Sequence, residues 1–333
     1  MVIELNLKRG VNLGGWLSQY KKFDHAHFNT FIQEEDIAQI ASWGMDHVRL
    51  PVDYPVVEEE LPNGSYAVSG FEYLDRCLSW CQKYGLDLLI DLHKAPGYAF
   101  GQWEKASLFS NPKHRNRFLQ IWAGLADHYR GIKNVGFELL NEIMLSDSKP
   151  WNELISETIP VIQEIDPNRL VMIGGNHYNS PDQLQHLDVY EDGRILYTFH
   201  YYFPMVVTHQ KAYWVPPLEN ISQEVNYPAP YPEIDSFGED MIGRPMDRDL
   251  LKSFLQPALD FMENTGKWLY CGEFGVIDRA PMEARINWTR DMVSLFSEFN
   301  IGWALWTYKA MDFGLVDLNG ALVSKELLDT IRN

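Results

Sequence analysis

NVGFELLNEI occupies residues 134–143. Val135, Phe137, Leu139 and Leu140 make a short apolar run of the kind that forms a buried strand, and the run ends on Asn141-Glu142. Glutamate is a poor strand former, and a buried charge is costly unless it has a partner or a task. The stretch therefore reads as a strand over 134–142 whose last two residues emerge where polar chemistry is wanted.

Working outward, seven further runs share this character: RGVNL (9–13), HVRLPV (47–52), DLLIDLH (87–93), RLVMIGG (169–175), ILYTFHYY (195–202), KWLYCGEFG (267–275) and GWALWTYK (302–309). They are near-continuous apolar runs rather than alternating ones, as parallel strands buried on both faces require. Helical patterns lie between them. Residues 34–43 put Ile37, Ile40 and Ala41 on one face; 71–83 put Phe71, Leu74, Leu78 and Cys81 on one stripe, with Gly85 as the stop. Residues 113–130 align Phe118, Ile121, Trp122 and Leu125, and further helices fit 151–165, 249–264, 282–299 and 324–332. Between the fifth and sixth strands only a turn near 181–187 is expected.

Strand and helix alternating eight times give an α/β fold, the (β/α)8 TIM barrel. An open doubly wound sheet would carry a G-x-G-x-x-G turn after its first strand, whereas Gly14-Gly15-Trp16 stands there. A length of 333 residues suits one barrel with insertions, so 1–333 reads as a single catalytic domain. Residues 203–248 break the rhythm with FPMVVTHQKAYWVPP and NYPAPYPEIDSFG, rich in aromatics and Pro and without a helical period. Long irregular segments in compact domains are usually functional. The expectation is an insertion after strand six that roofs the cleft, the alternative being a solvent-exposed decoration.

Composition narrows the partners. A formal charge of −18 opposes binding to nucleic acid or anionic membranes but tolerates a neutral substrate. Hydrophobic residues at 46% and aromatics at 14% support a large core and argue against disorder. The eleven Trp and seventeen Tyr suit stacking on sugar rings, although composition alone favours core filler. Cys77 and Cys81 lie four apart on one helix face, a poor disulfide geometry, and Cys271 falls inside a strand. All three read as reduced thiols of a reducing compartment. The start, MVIELNLKRGVNLGG, lacks a basic stretch followed by an apolar one, and no apolar run of membrane-spanning length occurs. A cytoplasmic protein is expected, or a secreted one whose export signal has been removed.

In a barrel the chemistry sits at the C-terminal strand ends. Those ends carry Arg49, His93, Asn141, Glu142, Asn176, His177, His200, Tyr202, Glu273 and Trp306. Singly, each has a bland reading as an ion-pair partner, a satisfied core histidine or packing. Together they form a constellation with one glutamate on strand four and one on strand seven. Two carboxylates facing each other across a mouth are what glycoside cleavage needs, one as acid and the other as nucleophile or base. Barrel metallohydrolases typically place His-x-His on strand one, where this chain has RGVNL, so no metal and no cofactor is expected. A G-x-S-x-G elbow and a P-loop are also absent from the sequence.

This set resembles glycoside hydrolase family 5, the cellulase-type retaining hydrolases of clan A, in the endoglucanase branch with a long loop after strand six. The resemblance runs from RGVNLGGWL (9–17) to WTYKAMDFG (306–314) through HVRLPVDY, LLIDLHKAPG, FELLNEI, FHYYFP and YCGEFGV. It implies Glu142 as general acid/base and Glu273 as nucleophile, with carboxyl groups roughly 5–5.5 Å apart. Asn141 would bind the sugar 2-hydroxyl and His93 the same sugar. Arg49 would support Glu273, the Tyr202 hydroxyl would touch Glu273, and His200 would flank both glutamates. Trp306 would be the platform under the sugar, Trp214 could extend the stacking, and the role of His177 is open. The implied substrate is a β-1,4-glucan or mixed-linkage β-glucan, with β-1,3-glucan, mannan, xyloglucan or transglycosylation as alternatives. A monomer is expected. A non-catalytic carbohydrate-binding barrel is disfavoured because both glutamates are present.

Overall fold

The computed structural model describes residues 5–99, 101–102, 106–234 and 237–332. Eight strands form a closed parallel barrel: β1 (Arg9–Asn12), β2 (His47–Asp53), β3 (Asp87–Lys94), β4 (Val135–Glu138), β5 (Val171–Gly174), β6 (Ile195–Tyr201), β7 (Leu269–Phe274) and β8 (Gly302–Leu305). Each strand pairs with its sequence neighbours, and β1 closes on β8 with Val11 opposite Leu305. The outer helices are α1 (Glu34–Ser42), α2 (Glu72–Tyr84), α3 (Pro112–His128), α4 (Lys149–Ile165), α5 (Arg248–Thr265), α6 (Met282–Glu298) and α7 (Lys325–Arg332). A 3-10 turn at Pro181–His186 replaces the helix between β5 and β6. The expected α/β TIM barrel is the fold observed, and each helix ends within two residues of its expected limits.

Helix ends follow local chemistry. Gly85 caps α2 with φ 71°, the left-handed conformation that only glycine takes without cost. Asn111 caps α3 by accepting the Lys113 N–H at 2.9 Å. Trp16, Trp122, Trp151 and Trp288 are fully buried, so most of the large aromatics are core. The indole N–H groups of Trp16, Trp151 and Trp288 donate to backbone carbonyls, the usual arrangement of a buried Trp.

Two departures from the expected strands matter for the site. β4 ends at Glu138 rather than Glu142. The backbone beyond it still leans on its neighbours: Leu139 N–H donates to Met172 C=O and Asn141 N–H to Leu92 C=O. Asn141 and Glu142 are thus carried on an extension of the wall. In β7 the register shifts between Cys271 and Glu273 against β6, and between Cys271 and Phe274 against β8. A bulge breaks the two-residue alternation and re-aims the side chain that follows.

Inside the barrel, side chains two apart on a strand stack in layers. Leu89, Met172, Leu196, Tyr270 and Ala304 pack with Leu5 and Leu7 as a small apolar plug. Two residues further along their strands or the neighbouring ones stand Asn12, Arg49, Asp91, Glu138 and Thr198, all fully buried. The next layer of the interior is therefore polar. Gly272 belongs to it, and a Cβ there would lie 3.0 Å from Thr198 Oγ1 and 3.2 Å from His200 Nε2. Only a glycine leaves that space for the polar groups.

Residues 203–248, apart from 235–236, are described after β6. They hold single helical turns at Met205–Thr208 and Pro216–Glu219 and a two-residue antiparallel pair, Ala229–Pro230 with Pro245–Met246. Gln210, fully buried, donates to Val225 C=O at 2.9 Å and accepts its N–H at 3.2 Å. Tyr227 reaches α6 through a 2.7 Å bond to Asp291. Among the described residues, no helix is long and apolar enough to cross a membrane. The three cysteines are free and buried.

Candidate active site

Arg49 projects from β2 into the polar layer, and all five of its N–H donors are engaged. Nε and Nη2 grip Glu138 as a fork, at 2.7 and 2.9 Å. Nη2 also donates to Asn141 Oδ1 at 2.8 Å, and Nη1 donates to Asn12 Oδ1 at 2.9 Å and Glu273 Oε1 at 2.8 Å. Asp91 Oδ2 lies 3.1 Å from Nη2. A guanidinium is planar and permanently charged, so this bonding fixes a cation beside Glu273.

Glu273 is turned into the mouth by the bulge, and its second oxygen accepts the Tyr202 hydroxyl at 3.0 Å. His200 Nδ1 stands 2.9 Å from Glu142 Oε1, a hydrogen-bond distance, and 3.7 Å from Glu273 Oε2, beyond one. One carboxylate oxygen of Glu142, one of Glu273 and a His200 nitrogen all lie within 4.8 Å of one another. That trio has ligand types that could also hold a divalent cation, but Arg49 already occupies one oxygen of Glu273 with a fixed positive charge.

The electrostatics separate the two glutamates. Burial and then the Glu273 charge push the Glu142 carboxyl well above the usual carboxylate range. Burial also raises Glu273, but the Arg49 charge, His93 and the Tyr202 hydroxyl oppose the rise. Of the pair, Glu142 holds the proton and Glu273 the charge. Burial drives His200 well below its ordinary value and His93 down to about 4, so both imidazoles are neutral near pH 7. Burial lifts Asp91 to about 7 against the pull of Arg49.

His93 Nδ1 contacts Asp91 Oδ2 at 2.8 Å, and its Nε2 faces Asn141 Nδ2 at 3.5 Å. Trp306 follows the end of β8, its ring parallel to that of His93 at 5.8 Å. The structure thus gathers eight expected residues, Arg49, His93, Asn141, Glu142, His200, Tyr202, Glu273 and Trp306, at one end of the barrel. Trp214 is set further out. Its ring meets His209 edge-on at 6.1 Å, and His209 packs edge-on against Tyr202 at 5.0 Å. His177 is in a left-handed backbone conformation with Tyr178 and Asn179, and its N–H donates to Asn176 Oδ1. Among the described residues, no hydrogen bond joins it to the cluster.

Sequence reading passed over Asn12, Asp91 and Glu138. The signal was present: Asp91 and Glu138 are acids inside otherwise apolar strand runs, and such charges demand a partner. Glu138 lies within FELLNE itself.

A raised carboxyl that can donate a proton, an ionised carboxylate within 4.8 Å of it, and flanking aromatic and amide groups suit proton-assisted attack on a neutral, hydroxylated substrate. The comparisons with known proteins agree. A family model described as Cellulase (glycosyl hydrolase family 5) matches residues 10–312. The chain is 44% identical to Endoglucanase C of Acetivibrio thermocellus over 337 residues, 98% of each protein. It is 36% identical to Cellodextrinase A of Ruminococcus flavefaciens, covering 88% of this chain and 83% of that one. Among solved structures, Cel5A of Thermotoga maritima in complex with cellobiose matches with a TM-score of 0.80 at 27% identity, covering 98% of this chain and 97% of the other. The chain, a glycoside hydrolase by fold, site and kinship, belongs to glycosyl hydrolase family 5.

Proposed function

We propose that the chain is a retaining endo-β-glucanase cleaving β-1,4 bonds of cellulose-type or mixed-linkage glucans. The observation that carries the mechanism is the spacing of Glu142 and Glu273, with carboxylate oxygens within 4.8 Å. Retaining enzymes hold the pair roughly 5–5.5 Å apart, while inverting ones need about 6.5–9.5 Å to admit a water between them. Glu273 attacks the anomeric carbon as Glu142 protonates the departing oxygen. A water then attacks the glycosyl-enzyme while Glu142 takes its proton, and the configuration is retained.

Supporting groups follow from the contacts. Arg49 and Tyr202 keep Glu273 ionised and aimed. Asn141, whose oxygen is taken by Arg49, offers its N–H to the sugar 2-hydroxyl. His93 contacts the same sugar, and Trp306 stacks beneath it. His200 holds Glu142 through Nδ1 and stands beside Glu273 without bonding it. The described residues of 203–248, Trp214 among them, form a wall of the cleft. The names of the relatives, endoglucanase and cellodextrinase, support a β-glucan substrate and leave polymer cutting and oligosaccharide trimming as the two modes.

Glu273→Gln should lower kcat on barley β-glucan by at least about 10⁴-fold, the scale seen when a nucleophile is lost, with an unchanged circular dichroism spectrum. NMR of the first-formed product should show the β-anomer; an initial α-anomer would overturn retention. Rates on carboxymethylcellulose, barley β-glucan, laminarin, mannan and cello-oligosaccharides, side by side, test the substrate.

A further inference from the structure

We infer that Glu138, with Asp91 beside it, is a positioning residue that sets the aim of Arg49 and through it the ionisation of the two catalytic glutamates. The inference rests on the proposed roles of Glu142 and Glu273.

Geometry carries it. A guanidinium has one edge, Nε with Nη2, that a carboxylate can grip with two parallel bonds. Glu138 takes that edge. With the edge fixed, the remaining N–H of Nη2 points at Asn141 and those of Nη1 at Asn12 and Glu273. The direction of the bond to the nucleophile is thus decided by a side chain that does not touch it. Asp91 does the same for His93, because its Oδ2 lies against both Arg49 Nη2 and His93 Nδ1. A neutral His93 donating from Nδ1 presents Nε2 as an acceptor. Asn141, with its oxygen held by Arg49, presents its amide as a donor. The buried acids therefore write the donor and acceptor pattern that the sugar meets.

Charge gives the readout. Glu273 is faced by Arg49 from β2, Asp91 and His93 from β3, Glu142 beyond β4, His200 and Tyr202 from β6 and just after it, and Cys271 on its own strand, while Glu138 reaches it through Arg49. Glu142 is faced in addition by Tyr98 and Tyr178. Replacing Glu138 with glutamine keeps its shape but removes one negative charge from this group. Arg49 is then less neutralised, both catalytic carboxyls become easier to ionise, and both limbs of the pH profile move to lower pH.

The test uses the full chain and cellotetraose, whose sugar leaving group needs the proton of Glu142. For Glu138→Gln we expect kcat down on the order of 10²-fold, the cost of a small misplacement of a reacting group, with KM changed far less. Both limbs of kcat/KM should shift down by on the order of one pH unit. Asp91→Asn should shift the alkaline limb in the same direction, because Asp91, lifted to about 7, carries its charge there, and should raise KM more, through His93. Glu138→Asp, restoring the charge, should return the limbs toward wild type even where the rate stays low. If Glu138→Gln is folded and its limbs coincide with those of wild type, the inference fails. If it does not fold, Asp91→Asn decides, and an unshifted alkaline limb there overturns it. Failure of the parent reading looks different: the wild type would then invert configuration, or Glu273→Gln would stay active, whatever the position-138 variants do.

Discussion

Glu142 is a group that function wants and stability does not. Its carboxyl is raised by burial and by Glu273, so the folded protein binds a proton that the unfolded chain, with an ordinary carboxyl near pH 4.3, has released. A raised native value means stability present at low pH and lost as pH climbs through that value. Glutamine mimics the protonated form and carries no such penalty. Glu142→Gln should therefore unfold a few degrees above wild type at pH 8, the gap closing toward pH 4, while activity on unactivated glucan falls sharply. Calorimetry at the two pH values checks the sign. At this scale the sequence was informative where residues sit at strand ends in recognisable company, as with Asn141-Glu142 or Glu273. It was silent where the partner is known only from three dimensions. Nothing in FELLNE says that Glu138 faces inward onto an arginine nearly ninety positions earlier, and the eye goes to Glu142 because Glu142 ends the run.

Elements were legible for the opposite reason, since their signals are local. The apolar stripe of α2 and the glycine behind it are both in the string FEYLDRCLSWCQKYG, and the helix stops where Gly85 takes φ 71°. A Cβ at Gly85 would meet nothing within 4 Å. Gly85→Ala should thus cost about 1 kcal/mol by conformation alone, readable as a lower urea midpoint with the slope unchanged and activity retained. Strand ends were less legible. β4 stops four residues short of its apolar run because pairing depends on β3 and β5 rather than on the run itself. The bulge in β7 has no local signature either. Regular alternation would set Glu273 on the same side as Cys271, toward the helices; only the shifted register turns it into the mouth.

For the whole molecule the barrel seam is the telling place. Asn12 lies where β1 meets β8, and its amide donates to Gly272 C=O at 2.9 Å and to Ala304 and Leu305 C=O at 3.3 Å while its oxygen accepts from Arg49. Asn12→Ala leaves buried carbonyls and one guanidinium N–H without partners, a loss of about 2–3 kcal/mol. Urea unfolding should show that loss, and kcat should fall as well because Arg49 is freed on one side. A variant as stable as wild type would mean that water replaces the amide. The fold was readable at this scale because eight alternations admit few topologies; the seam was not, because it joins residues from opposite ends of the sequence. Arg49 has a consequence for biosynthesis. Its partners come off the ribosome in the order Asn12, Asp91, Glu138, Asn141 and, much later, Glu273. Until the stretch around Glu273 has left the exit tunnel, the guanidinium has an N–H that only water can satisfy, and the barrel interior cannot dry. A nascent chain stalled before Gly272 should stay open to protease, and the full chain held clear of the tunnel by an added C-terminal linker should not.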